Sequence, residues 1–371
     1  MEPTVLFIQD QEVRRILTMR GAITALEGCF QELGEGRGVN RVRSHTHLPT
    51  AHEGLAFRFK TFEGGLSRLG FYGMRIFSDH LSYPTVAGSQ RQVKKYYDEK
   101  FANGLAVVAD VTENRLVAII ADGWFSLLRV GGTSALGTKY LARCESREVG
   151  LLGSGWQARG LAMGLKVVLP SLTRIKVFSP DSSRRNQFAN DMSSHLGIPV
   201  QAVGSGDEAM ENVDVIATAT SSMTPVVKKE WLREGIHVVA GAHSCEVPDE
   251  VISKADVAFI AQHEVGMEPR SPDFDEAMRR GKMVLQGEVQ SKRSLDWSRL
   301  GLLSDLISGK KSGRHDNKQI TLMINNFGLG AQYAALGAAV YKLAQQHGLG
   351  HPLPYSWFLS EYTWSNPGAV E

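Results

Sequence analysis

The most specific chemical signal in the chain is Gly153-Ser154-Gly155-Trp156-Gln157-Ala158, of the form G-x-G-x-x-A. It stands directly after a short apolar stretch and directly before a helix-like one. The first glycine permits a tight turn and the second lets a pyrophosphate approach the backbone. Ala158 lets the helix lie close to a sheet, so that its first amides face the phosphates. The second apolar strand ends in Val177-Phe178-Ser179-Pro180-Asp181, followed by Arg184 and Arg185. An NAD site commonly has an acid at the strand end. Ser179 does not repel a 2′-phosphate and Arg184 can pair with one, so the charge pattern favours NADP over NAD. The alternative is that both arginines form a solvated helix face and Asp181 binds the ribose.

Arg43, Arg58, Arg75 and Arg129 lie at or near the ends of apolar segments. Guanidinium groups bind carboxylates in bidentate fashion, so a cluster of them facing a nicotinamide is a carboxylate clamp. Spacing alone is equally compatible with surface arginines or halves of ion pairs. His45, His47 and His52 have neither a cysteine nor a well-spaced acid to complete a metal site, and they read as polar surface histidines. Lys94-Lys95-Tyr96-Tyr97 reads as a solvated helix end rather than a nucleic-acid surface.

These residues need a scaffold. Residues 11–33 carry apolar side chains at helical spacing, and GEGRG stops the helix. Strand-like stretches follow at 56–62, 71–77, 105–111 and 116–121, with Glu113-Asn114 suggesting a hairpin between the last two. From Val130 the texture changes to a small-residue helix and then to apolar strands at 175–178, 200–203, 213–217, 237–240 and 257–261, mostly separated by helix-length segments. Such alternation implies parallel βαβ units and a doubly wound sheet. A Gly- and Ala-rich helical segment covers 325–347.

The 371 residues suit two domains. The 41 Lys and Arg against 39 Asp and Glu leave a net charge of +2, which argues against general nucleic-acid binding. No apolar run approaches the ~18 residues of a membrane span. The N-terminus lacks the apolar core of a secretory signal. Cys29, Cys144 and Cys245 are too few and too scattered for a disulfide framework, so a cytoplasmic location is expected.

The chain resembles the ornithine cyclodeaminase/mu-crystallin family in several stretches, which occur in the family's order and at its separations. They are Val42-Arg43, Pro84-Thr85-Val86, LLRVGGTSALGTKYLAR running into GLLGSGWQARG, DVIATATSSMTPVV, HVVAGAH, LSDLISGKKSGR and GLGAQYAALGAAVY. The resemblance implies an α/β fold, with a Rossmann doubly wound parallel sheet (129–322) inserted into a mixed α+β substrate and dimerisation domain (1–128). Residues 323–371 return to that first domain. It implies that Arg43 and Arg129 bind a substrate carboxylate and that Thr85 lies on the nicotinamide side. Gly153, Gly155, Trp156 and Gln157 would form the phosphate turn, Ser179 would take the ribose position, and Thr218 and Thr220 would touch the cofactor.

Three positions depart from the family. Arg75 stands where a substrate-site lysine is usual, Asn325-Asn326 replaces an aspartate-serine pair, and His243 replaces the aspartate of cyclodeaminases, with a shortened loop after it. Loss of that carboxylate argues against ornithine cyclisation. The expected activity is NAD(P)H-dependent reduction of a ketimine or cyclic imino acid bearing an α-carboxylate, or the reverse amino-acid dehydrogenation. Arg43, Arg75 and Arg129 would bind the substrate, and His243 would donate the proton. The alternatives are a cyclodeaminase using Glu246, and a non-catalytic NADPH-binding crystallin-like protein. A homodimer through the first domain is expected, because its strands have no partner sheet within the chain.

Overall fold

The computed structural model describes residues 3–52, 54–86, 88–97, 103–242, 244–263 and 297–360. A first sheet gathers β1 (Thr4–Ile8), β2 (Gly38–Asn40), β3 (Ser44–Pro49), β4 (Ala56–Leu66) and β5 (Phe71–Ser82). A two-stranded hairpin of β6 (Thr85–Val86) and β7 (Ser89–Gln90) stands apart from it. The first sheet is completed by β8 (Val93–Lys95), β9 (Asn103–Asp110), β10 (Arg115–Ala121) and, from the far end of the chain, a strand at His351–Pro354. Its main path runs from that last strand through β1, β10, β9, β5 and β4 to β2, with β3 on β4 and β8 on β5. The β9–β10 turn places Asn114 at φ 49°, as the hairpin reading requires.

The apolar periodicity at 11–33 gives two helices rather than one: α1 (Asp10–Ile16) and α2 (Met19–Gly34). Thr18 breaks the run because its hydroxyl caps α2, accepting from the Gly21 amide at 3.1 Å. One face of α2 buries Ile23, Leu26 and Phe30, and such side chains contribute about 1.5–3 kcal/mol each. With α3 (Asp122–Leu141) and the helix Gly330–His347, α2 belongs to the helical layer against the first sheet. That layer covers one face of the first sheet.

The second sheet is parallel throughout. It comprises β11 (Glu148–Leu152), β12 (Arg174–Phe178), β13 (Val200–Ala202), β14 (Val215–Thr218), β15 (His237–Ala240), β16 (Val257–Ile260), β17 (Gly301–Leu302) and β18 (Thr321–Ile324). Its order is β13-β12-β11-β14-β15-β18-β16-β17. The order reverses between β11 and β14, which opens a crevice at their carboxyl ends. β18, absent from the sequence reading, inserts between β15 and β16. Helices α4 (Trp156–Val168) and α5 (Ser182–Leu196) follow β11 and β12. Where α3 crosses α4, a Cβ on Gly131 would meet the Gly160 carbonyl oxygen at 2.2 Å, so bare backbones make that contact. No described helix is long and apolar enough to cross a membrane. Cys29, Cys144 and Cys245 form no disulfide with one another.

Candidate active site

The turn after β11 has the form its sequence requires. Gly153 has φ +109°, and a Cβ there would lie 2.3 Å from the Ala219 carbonyl oxygen. Only glycine fits this backbone at this distance. Gly155 is the N-cap of α4 and offers no side-chain cap, and the space beside it is open. The first amides of α4 therefore remain available to an anion. Ala158 is fully buried. Trp156 stays 44% exposed at the rim. Its ring lies 6.2 Å from that of Trp124, and the Arg14 guanidinium sits 4.7 Å from the Trp124 ring and 5.5 Å from that of Trp156.

Beside this turn, the Ser179 and Ser154 hydroxyls are 2.7 Å apart, joining the ends of β12 and β11. Asp181 caps α5, accepting from the Arg184 amide at 3.0 Å. The Arg184 side chain is 81% exposed and stands 3.4 Å from Asp181. Arg185 instead donates to the Ser179 carbonyl and lies over Phe178.

Between this crevice and the inner face of β4 and β5 lies a cavity of about 390 Å³. Arg43, Arg75, Arg129, Gly155, Trp156, Gln157 and Thr220 all line it. Thr85, Gly153, Ser179, Arg184 and Thr218 do not. Thr85 is exposed on the β6–β7 hairpin, and Thr218 is fully buried at the end of β14. His243 lies outside the described residues.

The three arginines differ in their surroundings. Arg75 Nε donates to Asp122 Oδ2 at 2.7 Å, and its Nη2 donates to the same oxygen. Its charge is thus met by a protein carboxylate. Burial raises the Asp122 carboxyl above its ordinary range against the pull of that guanidinium. Arg43 stacks on Phe327, with the guanidinium carbon 3.6 Å from the ring centre. Arg129 is 7% exposed and has no carboxylate or hydrogen-bond partner for its guanidinium among the described residues.

The structure adds Lys60, which the sequence reading passed over, and gives Arg58 and Lys94 a place at the cavity. Arg58 is held by both oxygens of Asp79, at 2.9 and 2.7 Å, and Lys60 stands 3.5 Å from the same carboxylate. Lys94 also lines the cavity. Its segment is strand β8 paired to β5, not a helix end. His45 and His47 are buried rather than on the surface, because β3 turns that face inward as it pairs with β4. Burial, with Arg43 and Lys60 nearby, holds His45 well below its usual pKa and so neutral. Among the described residues no three His, Cys, Asp or Glu side chains could share a metal ion.

The Asn325-Asn326 departure from the family pattern has a structural role. Asn326 accepts from the Ala261 and Gln262 amides and donates to the Gln262 carbonyl at 2.7 Å. Asn325 donates to the Val130 carbonyl and to Ser134, tying β18 to α3. Glu246 is fully buried, accepts from the Thr220 amide at 2.7 Å and does not line the cavity. It positions a loop at the crevice and is badly placed to replace a catalytic aspartate.

Comparison with known proteins agrees with this architecture. A Delta(1)-pyrroline-2-carboxylate reductase of Bacillus cereus is 24% identical over 356 residues, covering 95% of this chain and all of the relative. The structure of the Thermococcus litoralis Delta(1)-pyrroline-2-carboxylate reductase with NADH and L-proline superposes with a TM-score of 0.72 at 24% identity, covering 94% of this chain and 100% of that one. An archaeal alanine dehydrogenase dimer with bound NAD gives 0.71 at 22% identity, over 94% and 99%. The model of the ornithine cyclodeaminase/mu-crystallin family matches residues 6–347, and the chain belongs to that family.

Proposed function

We propose that the protein is an NAD(P)-dependent oxidoreductase that reduces the carbon–nitrogen double bond of an imino acid bearing an α-carboxylate, or runs the reverse dehydrogenation. One observation carries the reading: Arg129 is a buried guanidinium with no anionic partner among the described residues, and it faces the same cavity as the open phosphate turn at Gly155–Gln157. A buried unpaired cation is costly, so its retention beside a nucleotide crevice points to a carboxylate ligand.

The residues present suit a nicotinamide dinucleotide: the bare turn at Gly153 and Gly155, the free first amides of α4, and a crevice at the sheet's switch point. When bound, that cofactor supplies the hydride. Arg129, with Arg43, holds the carboxylate and fixes the imine carbon towards the cofactor side. Such positioning turns a bimolecular encounter into a near-unimolecular step. The imine nitrogen takes a proton, which we assign to His243. Arg75 shapes the wall through Asp122.

NADP is the preferred form, on the reading that Ser179 leaves room for a 2′-phosphate and exposed Arg184 meets it. The functional unit is a homodimer. On the outer face of the first sheet Ile76 stands opposite Leu105 and Met74 opposite Val107, with Phe57 and Phe59 beside them, all at least partly exposed. A flat apolar sheet face of this kind suits a second copy of itself.

The test is oxidation of NADPH and NADH with cyclic imines and with 2-oxo acids plus ammonia or methylamine. Consumption of cofactor with formation of the amino acid supports the reading. Ammonia release without cofactor consumption, or no turnover with any imine, overturns it.

A further inference from the structure

The β4–β5 wall of the cavity carries positive charge that the described residues do not neutralise. Arg58, Lys60 and Lys94 gather around a single carboxylate, Asp79. Arg58 occupies both of its oxygens, and Lys60 approaches one of them only to 3.5 Å. Lys94 keeps open surface toward the cavity and has no hydrogen bond or ion pair of its own among the described residues. Among the described residues three basic side chains thus share one carboxylate, while the Arg75–Asp122 pair is self-compensated.

The crowding weighs on the lysines. Burial and the Arg58 charge hold Lys60 well below the ordinary lysine range. Lys94 is lowered to about 8 by its enclosure and by the charges of Arg58, Arg75 and Arg129, against the pull of Asp79. Packing basic groups this closely pushes the lysines toward their neutral form, and a further anion joining them would restore the charge.

This surplus is distinct from Arg129. The Arg129 guanidinium lies 5.8 Å from the Tyr333 ring, and Arg75 lies 5.7 Å from that ring and 4.2 Å from Phe77. Lys60 follows at 4.7 Å from Phe77. The neutral pair and two rings therefore separate an anion site at Arg129 from a second one at Lys60 and Lys94.

We propose that the substrate is a dicarboxylic imino acid, with its α-carboxylate on Arg129 and its side-chain carboxylate on Lys60 and Lys94. This rests on the imine-reductase reading above for the chemistry, though not for the second anion site. The substrate-side reaction is the same reduction. Hydride adds to the imine carbon, a proton adds to nitrogen, and NAD(P)H becomes NAD(P)⁺.

Two measurements on the full-length protein test it. The first is kcat/KM for imines formed from oxaloacetate plus ammonia and from 2-oxobutyrate plus ammonia, which differ in the second carboxylate. The expected preference for the dicarboxylate is about 100-fold, the effect of roughly two charge-assisted contacts. Lys94→Met, and separately Lys60→Met, should each shrink that ratio about tenfold. The Lys94 variant is the safer one for folding, since its side chain has no hydrogen bond or ion pair among the described residues to lose. The second measurement is calorimetric binding of succinate against butyrate to the NADPH-loaded protein, which needs no turnover. Tighter succinate binding that Lys94→Met weakens supports the second site even if no imine is reduced, in which case only the reductase reading falls. Equal rates for the two imines, or equal binding of succinate and butyrate, overturns the proposal while leaving the reductase reading intact.

Discussion

Arg75 and Asp122 form a buried ion pair at the centre of the cavity wall, the guanidinium donating twice to one carboxylate oxygen. Asp122 opens α3, so the pair also fixes the start of the helix that carries Arg129. Removing one partner leaves an uncompensated buried charge. Asp122→Ala should therefore lower the unfolding free energy by ~3–5 kcal/mol, read from the urea midpoint. A loss under 1 kcal/mol would show that the pair contributes little to the fold.

Arg129→Ala removes a charge with no anionic partner among the described residues, so stability should hold or rise slightly. Substrate KM should climb about 30-fold or more, the equivalent of ~2 kcal/mol or above. Cofactor affinity should change little. Steady-state kinetics with an unchanged KM would dissociate Arg129 from the substrate carboxylate.

Replacing Arg184 and Arg185 together by alanine should weaken NADPH far more than NADH, because only NADPH carries the 2′-phosphate. Arg185 also braces the Ser179 carbonyl, so the single Arg184→Ala variant isolates the charge effect. Fluorescence titration with both cofactors decides the matter. Equal losses would return Arg184 to a solvated helix face.

His243→Ala should cut kcat by ~10²–10⁴ with cofactor binding unchanged, the range for losing a general acid. His243→Asp should recover part of any ammonia-releasing activity towards ornithine if the shortened loop admits that substrate. Unaltered kcat across pH 6–8 in the alanine variant assigns the proton to another group.

His237 supplies a pH dependence of stability. Its ring lies fully buried, 2.9 Å from the Thr321 hydroxyl and 3.2 Å from that of Thr138, and burial with the nearby Arg314 charge lowers its pKa to about 3. The unfolded chain binds a proton near pH 6.5 while the folded chain refuses it. This contribution is therefore complete above pH 6.5 and is lost as pH falls from there toward about 3, at ~1.4 kcal/mol per unit. Urea unfolding at pH 7 and pH 5 should show the loss, and His237→Gln should flatten it.

Much of this fold was legible because its signals are local. The glycine turn, the β9–β10 hairpin and the strands of the parallel sheet carry their patterns within a few residues. β18 did not, because four buried apolar residues have no periodicity and only distant pairing places them between β15 and β16. Thr18 sat inside an apolar rhythm that continues past it, and its capping role needs the bend to be seen. The cavity charges were partly readable. A hairpin closed at Leu66–Phe71 sets Arg58 opposite Asp79 and Phe62 opposite Arg75 by simple register counting. Asp122, 47 residues from Arg75, offered no such arithmetic. His45 and His47 were misread because alternation shows that two side chains share a face but not which way the face turns.

The rim pairing of Trp124 with Trp156 under Arg14 has an optical consequence. Trp124 sits at the start of α3, and Trp156 on the turn where a pyrophosphate would rest. Two indoles 6.2 Å apart exchange excitation readily, and a cation over both sets the energy of their emitting states. Negative charge arriving at the turn alters that field at its source. The molecule thereby carries its own chromophore for nucleotide occupancy, readable without label or substrate.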